Sequence, residues 1–488
     1  MFMKKIFTAI LILPFLVSCG EWLDVQPKTS VEEEDLFSRE YGFKDALTGF
    51  YVKMGKPELY GQVTTYYYLD MLAGIYDVAP EVYTWSSIYA YDGNYQGTVN
   101  SIYSSMYNVI ANINNFLKFV DQNRSVITTP DYYETMKGEA LGLRAFLHFD
   151  LLRLFGPIYK DNPQGAAVPY RTKFDNVATP ILPASEVLDL VIADLLEAEE
   201  LLDGHDSEIF NYDDSADPFT EMRQMRMNVW AVRAMLARAY CYKGDEASKA
   251  EALKYAKSVI ECEHFALAPN GRRDASQPPF WGEEVIFGLY IYDYYRIVDE
   301  LFKNASYSYL LSAYSSNVST WFPQNDDRYW FFSEYRESGN SPISVSVKYD
   351  QDRYSSARDS YSPMNTQPLI RLPEMYYIAA ECEPDPATAV SYLDEVIFSR
   401  TGRSSSTVTA GFDQTDSRQI YGVYTGQTVR VNELYREYFK EFYGEGQLFF
   451  FYKRFGFTAF PNPIDDTMDP AAYQMPLPDD EYTYGNNN

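Results

Sequence analysis

Apolar residues recur with helical spacing between residues 227 and 261. They form two stripes with the 3.6-residue period of an amphipathic helix. The first stripe contains Val229, Val232, Leu236 and Tyr240, and the second contains Leu253, Ala256 and Ile260. Gly244 and Asp245 lie between the stripes, where a glycine can end one helix and an aspartate can cap the next. The pattern predicts an antiparallel helical hairpin.

Other segments show the same helical period. They are residues 99–120, 138–156, 185–202, 371–382 and 385–400. The hairpin length and its small residues Ala231, Ala234 and Ala237 are similar to a tetratricopeptide unit of about 34 residues. Because one such unit cannot bury its own apolar face, we expect stacked hairpins that share a continuous core. The sequence therefore predicts a mainly α fold.

The stretch from about 265 to 368 lacks this periodicity. It is rich in Ser, Asn, Asp and aromatic residues. A structureless loop of this length is unusual in a compact domain unless it is functional. We therefore expect a loop-rich insertion that contains some short helices and strands.

Composition limits the classes of ligand. The 488 residues carry a net charge of -28, which disfavours nucleic acid and strongly anionic substrates. Tyr is unusually frequent, with 45 residues. Cys241, Cys262 and Cys382 show no CxxC spacing, and 1.5 Å per helical residue places Cys241 and Cys262 too far apart to bridge. We expect neutral ligands and free thiols.

The sequence contains few signs of catalysis. Only three histidines are present, and His148 lies in an apolar helix where a packing role is expected. HExxH, GxSxG and GxxxxGKS motifs are absent from the sequence. We therefore predict a protein without catalytic residues, metal or cofactor. A pair of carboxylates acting as a glycoside hydrolase stays an open alternative, because 69 acidic residues are present.

The first 18 residues have the pattern of a signal peptide. Lys4 and Lys5 precede an apolar run from Ile6 to Val17 that is too short to span a bilayer. The following Leu16-Val17-Ser18-Cys19 resembles the lipobox of bacterial lipoproteins, in which the cysteine is acylated. We expect residues 1–18 to be removed and Cys19 to carry the lipid.

Two aromatic stretches are candidate ligand sites. They run from Tyr83 to Tyr95 and from Thr320 to Phe332, and both mix rings with amide or charged side chains. A pyranose can stack on such rings while its hydroxyls bond to polar neighbours. The predicted binding residues are Trp85, Tyr89, Tyr91, Asn94, Trp321, Arg328, Tyr329 and Trp330. Packing against the helices is an equally good explanation for any single ring.

Several sequence blocks resemble the SusD/RagB family of surface lipoproteins. They are CGEWLDVQP from Cys19, GEALGLRAFLHFDLLRLFGPIY from Gly138, RLPEMYYIAAE from Arg371, EFYGEGQLFFFYKRFG from Glu441 and YQMPLPDDE from Tyr473. The chain departs from the family pattern at Leu448 and Phe451, where the family often has Arg and Asp. The resemblance implies four tetratricopeptide-like helix pairs within a single domain, residues 19–488. The scaffold would occupy about 31–264 and 369–401, and a C-terminal block about 429–488.

The resemblance also implies a location and a role. Members sit on the outer face of the outer membrane and pass nutrients to a SusC-like TonB-dependent transporter. The expected ligand is an oligosaccharide, with an oligopeptide as the alternative. The family's ligand loops vary with substrate, so the candidate binding residues depend on composition alone.

Lipid attachment at Cys19 can be tested by metabolic labelling. In cells grown with labelled palmitate, the wild-type protein should take up label and the Cys19→Ala variant should not, because the variant lacks the acylated sulfur. Gel fluorography of the purified proteins measures this. Equal labelling of both proteins would contradict the assignment.

Overall fold

The computed structural model describes residues 33–78, 85–206, 209–210, 217, 219–271, 282–313, 315–336, 339–352, 364–403, 411–458 and 469–485. Within these ranges the protein is mainly helical, as predicted. The helices of the N-terminal half are α1 (Glu40–Met54), α2 (Tyr68–Leu72), α3 (Trp85–Ala90), α4 (Asn94–Gln122), α5 (Tyr132–Phe155), α6 (Ala184–Leu202), α7 (Val229–Lys243) and α8 (Glu246–Ile260). Those that follow are α9 (Tyr294–Phe302), α10 (Ser315–Trp321), α11 (Leu372–Cys382), α12 (Pro386–Thr401), α13 (Val429–Glu441), α14 (Gln447–Phe455) and α15 (Asp479–Tyr484).

The helices pack in a continuous array. Helix α4 packs on α5, α5 on α6, α6 on α7 and α7 on α8. Helix α8 then packs on α11, which packs on α12, so the array continues across the insertion. Near the C-terminus, α13 packs on α11 and α14 packs on α2. The predicted helical segments therefore form one stacked scaffold.

The α7–α8 hairpin ends and begins as its sequence predicts. Gly244 has φ +77° and donates its backbone N–H to the carbonyl of Tyr240 at 3.1 Å. A side chain at this position would strain the left-handed backbone. Asp245 then caps α8 by accepting the backbone N–H of Ser248 at 3.0 Å. The Gly-Asp pair thus fixes the reversal between the two helices.

Helix α5 is buried on all sides, although its sequence predicted one apolar face. Every residue from Gly138 to Phe155 is buried. Its charged residues are paired, because an unpaired buried charge is costly. Glu139 accepts the Tyr51 hydroxyl at 2.5 Å, and Arg144 donates to both carboxylate oxygens of Asp194 at 2.7 and 2.8 Å. Helix α5 is therefore the centre of the scaffold.

Short strands lie mostly in and beside the insertion. They are β1 (Tyr76–Asp77), β2 (Ala166–Pro169), β3 (Ile181–Pro183), β4 (Val285–Tyr290), β5 (Ser312–Ala313), β6 (Phe332–Tyr335), β7 (Ile343–Ser346) and β8 (Thr366–Arg371). Strand β2 pairs with β3, and β4 pairs with β8, both antiparallel. The remaining strands form an antiparallel sheet in the order β1-β5-β7-β6. The β4–β8 pair brings the two ends of the insertion together at the start of α11.

A cluster of buried charges joins the insertion to α11, α12 and α13. We call it the charge cluster: its cations are Arg328, Lys348, Arg371 and Arg400, and its anions are Glu284, Asp326, Glu437, Glu441 and Glu445. The Glu441 carboxylate accepts from Arg328 at 3.2 Å, from Arg371 at 2.7 Å and from Arg400 at 3.0 Å. Glu441 is therefore shared by three otherwise separate segments.

Three guanidiniums hold the Glu441 carboxylate in its charged form. Burial alone would raise the pKa of Glu441, but the guanidiniums of Arg400, Arg371 and Arg328 hold that pKa well below its usual range. The Lys348 ammonium donates to the backbone carbonyls of Glu441 and Tyr443, each at 3.1 Å, and pairs with Glu445. Burial lowers the pKa of Lys348 to about 8 despite this pairing.

His148 lies in the core on α5, as expected for a packing residue. It is fully buried and stacks on Tyr170 with ring centroids 3.9 Å apart. Its Nδ1 lies 2.9 Å from the carbonyl of Arg144, and its Nε2 accepts the backbone N–H of Arg171 at 3.0 Å. Nδ1 must carry the only ring proton to satisfy both bonds. Burial lowers the pKa of His148 to about 3.

The cysteines also match their expectation. Cys241 and Cys382 are buried, Cys262 is partly buried, and all three thiols are free. Cys19 lies outside the described residues. In the described part of the chain, no helix combines the length and the apolar character that crossing a bilayer requires.

The charge cluster should be sensitive to the loss of one partner. Glu441→Ala leaves buried guanidiniums uncompensated, so we expect a loss of about 3–5 kcal/mol in the free energy of unfolding. Urea denaturation measures this. The control is Glu251→Ala, which breaks an exposed 2.9 Å pair with Lys254 and should cost at most about 1 kcal/mol. Equal losses in the two variants would contradict the role of the cluster.

His148 should make stability depend on acid pH. Its pKa is about 3 in the folded state, whereas an unfolded histidine titrates near 6.5, so only the unfolded chain binds this proton at pH 4–6. The free energy of unfolding should fall by about 1.4 kcal/mol per pH unit from this residue as pH drops below 6.5. The His148→Asn variant should be less stable at pH 7 but show a shallower fall between pH 6 and 4. Urea titrations measure the free energy of unfolding at each pH. An equal fall with pH in the wild-type protein and the variant would contradict this assignment.

Candidate functional site

The small sheet contains one strand close in the chain to each of the two predicted aromatic stretches. Strand β1 lies just before the first stretch, and β6 contains the last residue of the second. The order β1-β5-β7-β6 places these strands at opposite edges of the sheet. With neighbouring strands about 4.8 Å apart, the edges are separated by roughly 14 Å.

The strand register places specific segments at the same end of the sheet. Asp77 pairs with Ser312, so the chain leaves β1 beside the residues that lead into β5. Phe332 pairs with Ser346, and the N–H of Val347 donates to the carbonyl of Phe331 at 2.7 Å. The turn before β6, the turn before β5 and the C-terminal end of β1 therefore meet at this end of the sheet.

Exposed rings line this end of the sheet. Trp330 is 43% exposed in the turn before β6, and Tyr309 is 53% exposed in the turn before β5. Tyr329 is half-buried, and its ring meets that of Trp330 edge to face with centroids 5.6 Å apart. We call Tyr309, Tyr329 and Trp330 the aromatic rim. Tyr309 precedes β5 and Trp330 precedes β6, so the two rings belong to separate turns at the same end of the sheet.

The charge cluster holds in place the turn that carries Tyr329 and Trp330. Trp330 and Tyr329 belong to a short 3-10 turn, Asp327–Phe331, which Asp326 caps by accepting the backbone N–H of Arg328 at 3.0 Å. Burial alone would raise the pKa of Asp326, but Arg328 holds that pKa below its usual range. The capped turn therefore presents Trp330 on a rigid support.

Arg328 does not have the position predicted for a ligand contact. It is fully buried, and its guanidinium donates to Asp326 at 2.7 and 2.9 Å, to Glu437 at 2.8 Å and to Glu441 at 3.2 Å. The predicted ligand contact of Arg328 is therefore corrected, and its guanidinium has a structural role. A polar segment gives no sign of whether its arginine faces solvent or a buried acid.

Trp321 is also a packing residue in the structure. Its ring is stacked on Phe439 at 4.2 Å and meets the edges of Tyr421 and Tyr435. A Cβ added at Gly422 would lie 2.4 Å from the Trp321 ring, so this turn fits only a glycine. The ring holds α10 on α13, and its predicted ligand role is corrected accordingly.

The first aromatic stretch is partly built into the scaffold. The Tyr91 hydroxyl donates to the carbonyl of Ala472, and burial raises the pKa of this tyrosine. Tyr91 is therefore corrected to a packing residue. Tyr89 is half-buried and donates to the carbonyl of Leu72 at 3.2 Å, which leaves part of its ring accessible. The side chains of Trp85 and Asn94 lie outside the described part of the structure.

Sequence reasoning missed several exposed tyrosines. Tyr309 was not selected because a ring between Ser308 and Leu310 carries no pattern that distinguishes an exposed ring from a buried one. Tyr290, Tyr292 and Tyr295 are exposed at the end of β4 and the start of α9. The run YIYDYY, residues 290–295, was a usable signal for these three. Only burial separates them from Tyr294, which is in the core.

The described residues contain no group of three or more His, Cys, Asp or Glu side chains arranged to hold a metal ion. The rim instead combines exposed rings with a rigid backbone. Such an arrangement can bind flat apolar surfaces, including the faces of sugar rings.

Comparison with known proteins shows which family the N-terminal part of the chain resembles. Residues 21–241 match the SusD-like family described as "Starch-binding associating with outer membrane". A SusD-like protein, P38, from Formosa agariphila is 28% identical over 204 residues. That match covers 40% of this chain and 37% of the relative's length. The N-terminal part of the chain is therefore similar to SusD-like proteins.

Solved structures share the fold of this protein. A SusD superfamily protein from Bacteroides thetaiotaomicron superposes with a TM-score of 0.63 at 22% identity, covering 86% of this chain and 89% of the other. A structure with a xylogluco-oligosaccharide superposes with a TM-score of 0.58 at 15% identity, covering 84% of this chain and 82% of the other. These matches confirm the predicted SusD-like helical fold.

Proposed function

We propose that this protein belongs to the SusD family and binds neutral oligosaccharides at the aromatic rim without catalysing their cleavage. The observation that carries the proposal is the exposure of Trp330 and Tyr309 in two turns at the same end of the sheet. Its family is described as starch-binding. Together these favour a sugar ligand for the rim.

The chemistry of the rim fits a saccharide. The apolar face of a pyranose packs against an indole or phenol ring, and its hydroxyls need nearby directional partners. Tyr hydroxyls and the exposed carboxylate of Asp77, at the same end of the sheet, can supply them. Exposed rings in two separate turns, Tyr309 and Trp330, can each contact a ligand longer than one sugar ring.

The proposal includes a location and a partner. Acylation at Cys19 would tether the protein to the outer membrane, because two or three acyl chains bind a bilayer durably. The family description, which mentions association with the outer membrane, supports this. From the cell surface the protein would deliver its ligand to a SusC-like TonB-dependent transporter for uptake.

Removal of a rim ring should weaken sugar binding. We expect Trp330→Ala and Tyr309→Ala each to raise the Kd for malto-oligosaccharides or xylogluco-oligosaccharides about tenfold, because each removes a stacking surface. Isothermal titration calorimetry measures this. Tyr41→Ala, which removes an exposed ring on α1, is the control and should leave the Kd unchanged.

Three outcomes would count against the proposal. Unchanged binding in both rim variants would exclude the rim as the site. Capture of oligopeptides and of no sugar would favour the alternative ligand. Release of shortened sugars during incubation, detected by chromatography, would show a hydrolase.

A further inference from the structure

A large cavity lies apart from the aromatic rim. It is bounded by α4, by the segment 169–179 and by α15, and its volume is about 890 Å³. Pockets for small molecules usually measure about 300–1,000 Å³. No residue of the aromatic rim lines it. We call it the α4 cavity.

The floor of the α4 cavity is one face of a helix. Gly97, Asn100, Ser101 and Ser104 follow the i, i+3, i+4, i+7 spacing of neighbours on a helix surface. Residues 94–117 contain no Asp, Glu, Lys or Arg, although 23% of the whole chain is charged. The floor therefore offers amide and hydroxyl groups without a net charge.

Aromatic rings form part of the walls. Phe174 is 45% exposed and Tyr484 is 76% exposed, and both line the cavity. Isolated exposed rings are common, but these two lie on either side of one uncharged floor. They supply the flat surfaces on which sugar rings can stack.

Hydrogen bonds fix the walls to the floor. The Tyr103 hydroxyl donates to Glu481 at 3.0 Å, which ties α15 to α4. The Tyr107 hydroxyl donates to the carbonyl of Pro169 at 2.6 Å, and the Asn114 amide donates to the carbonyl of Arg171 at 3.0 Å. The cavity is thus formed before any ligand arrives.

The charged residues at the edge do not select an ion of one sign. Arg171 pairs with Asp175 at 3.1 Å, and Glu481 accepts from Tyr103. Lys173 and Asp480, of opposite charge, lie on the remaining edge. An uncharged ligand suits this balance better than an anion.

The cavity continues as a groove along α4. A second cavity of about 450 Å³ lies beside it, and Ser104 lines both. Gly97 and Asn108, which line one cavity each, are separated by about 16 Å along the helix. A ligand that fills both must be an extended chain.

We propose that the α4 cavity is a second binding site, for an uncharged oligosaccharide, that is separate from the aromatic rim. The ligand class assigned to this cavity rests on the proposed carbohydrate function. Its position rests only on the geometry of α4, the segment 169–179 and α15.

The test is to fill the cavity without disturbing the fold. The Gly97→Trp variant places an indole where an added Cβ meets no atom within 4 Å, and replacing a helical glycine does not weaken the helix. Gly49→Trp is the matched control, because Gly49 also lies in a helix and faces open space. Circular dichroism should show both variants folded like the wild-type protein.

Wall variants give an independent readout. Phe174→Ala and Tyr484→Ala remove the two rings, while Val177→Ala and Tyr482→Ala remove exposed side chains nearby that do not line the cavity. Calorimetry with malto-oligosaccharides and xylogluco-oligosaccharides should show two sites in the wild-type protein. We expect Gly97→Trp to abolish one site and each wall variant to weaken it about tenfold.

The two proposals fail separately in this series. If Gly97→Trp binds like the wild-type protein while Trp330→Ala loses binding, the cavity proposal is wrong and the rim proposal stands. If Gly97→Trp loses binding while the rim variants do not, the rim proposal is wrong. Binding of none of these sugars, or capture of peptides that Gly97→Trp abolishes, overturns the assigned ligand class of the cavity.

Discussion

The need to pair buried charges constrains this structure more than any other interaction. Glu441 accepts hydrogen bonds from three arginines that come from the insertion, from the end of β8 and from α12. Arg328 and Glu441 are 113 residues apart in the chain. Removing any member leaves an uncompensated charge in the interior, which costs several kcal/mol. The cluster thus allows only one relative placement of the insertion, the helical array and the C-terminal helices.

The pairing of buried charges also positions part of the proposed binding site. The turn that presents Trp330 is capped by Asp326, a member of the charge cluster, so the exposed ring is positioned by groups that never meet the ligand. Binding at a preorganised surface avoids the entropy cost of ordering side chains. The α4 cavity shows the same principle with neutral groups, since Tyr103 and Tyr107 use their hydroxyls to hold its walls. In both places the rigid scaffold supports the ring, and the ring provides the contact surface.

The helices could be predicted because their signals are local. Periodicity located α7 and α8, and Gly244 and Asp245 marked the reversal between them. The prediction for α5 was incomplete, because its periodicity indicated one apolar face, whereas the structure buries and pairs its charged residues as well. The candidate site was predicted less well. Trp330 is exposed as expected, whereas Arg328, in the same turn, is buried.

The sequence by itself determined the mainly helical fold, the ends of the central hairpin and the resemblance to SusD proteins. Those features depend on residues close together in the chain or on short blocks. Only the tertiary structure decided which aromatic and charged residues face solvent. Burial of a side chain depends on segments far away in sequence, such as α13 for Trp321 and Arg328. Composition shows that rings and charges are present, but their partners are set by the packing of the whole chain.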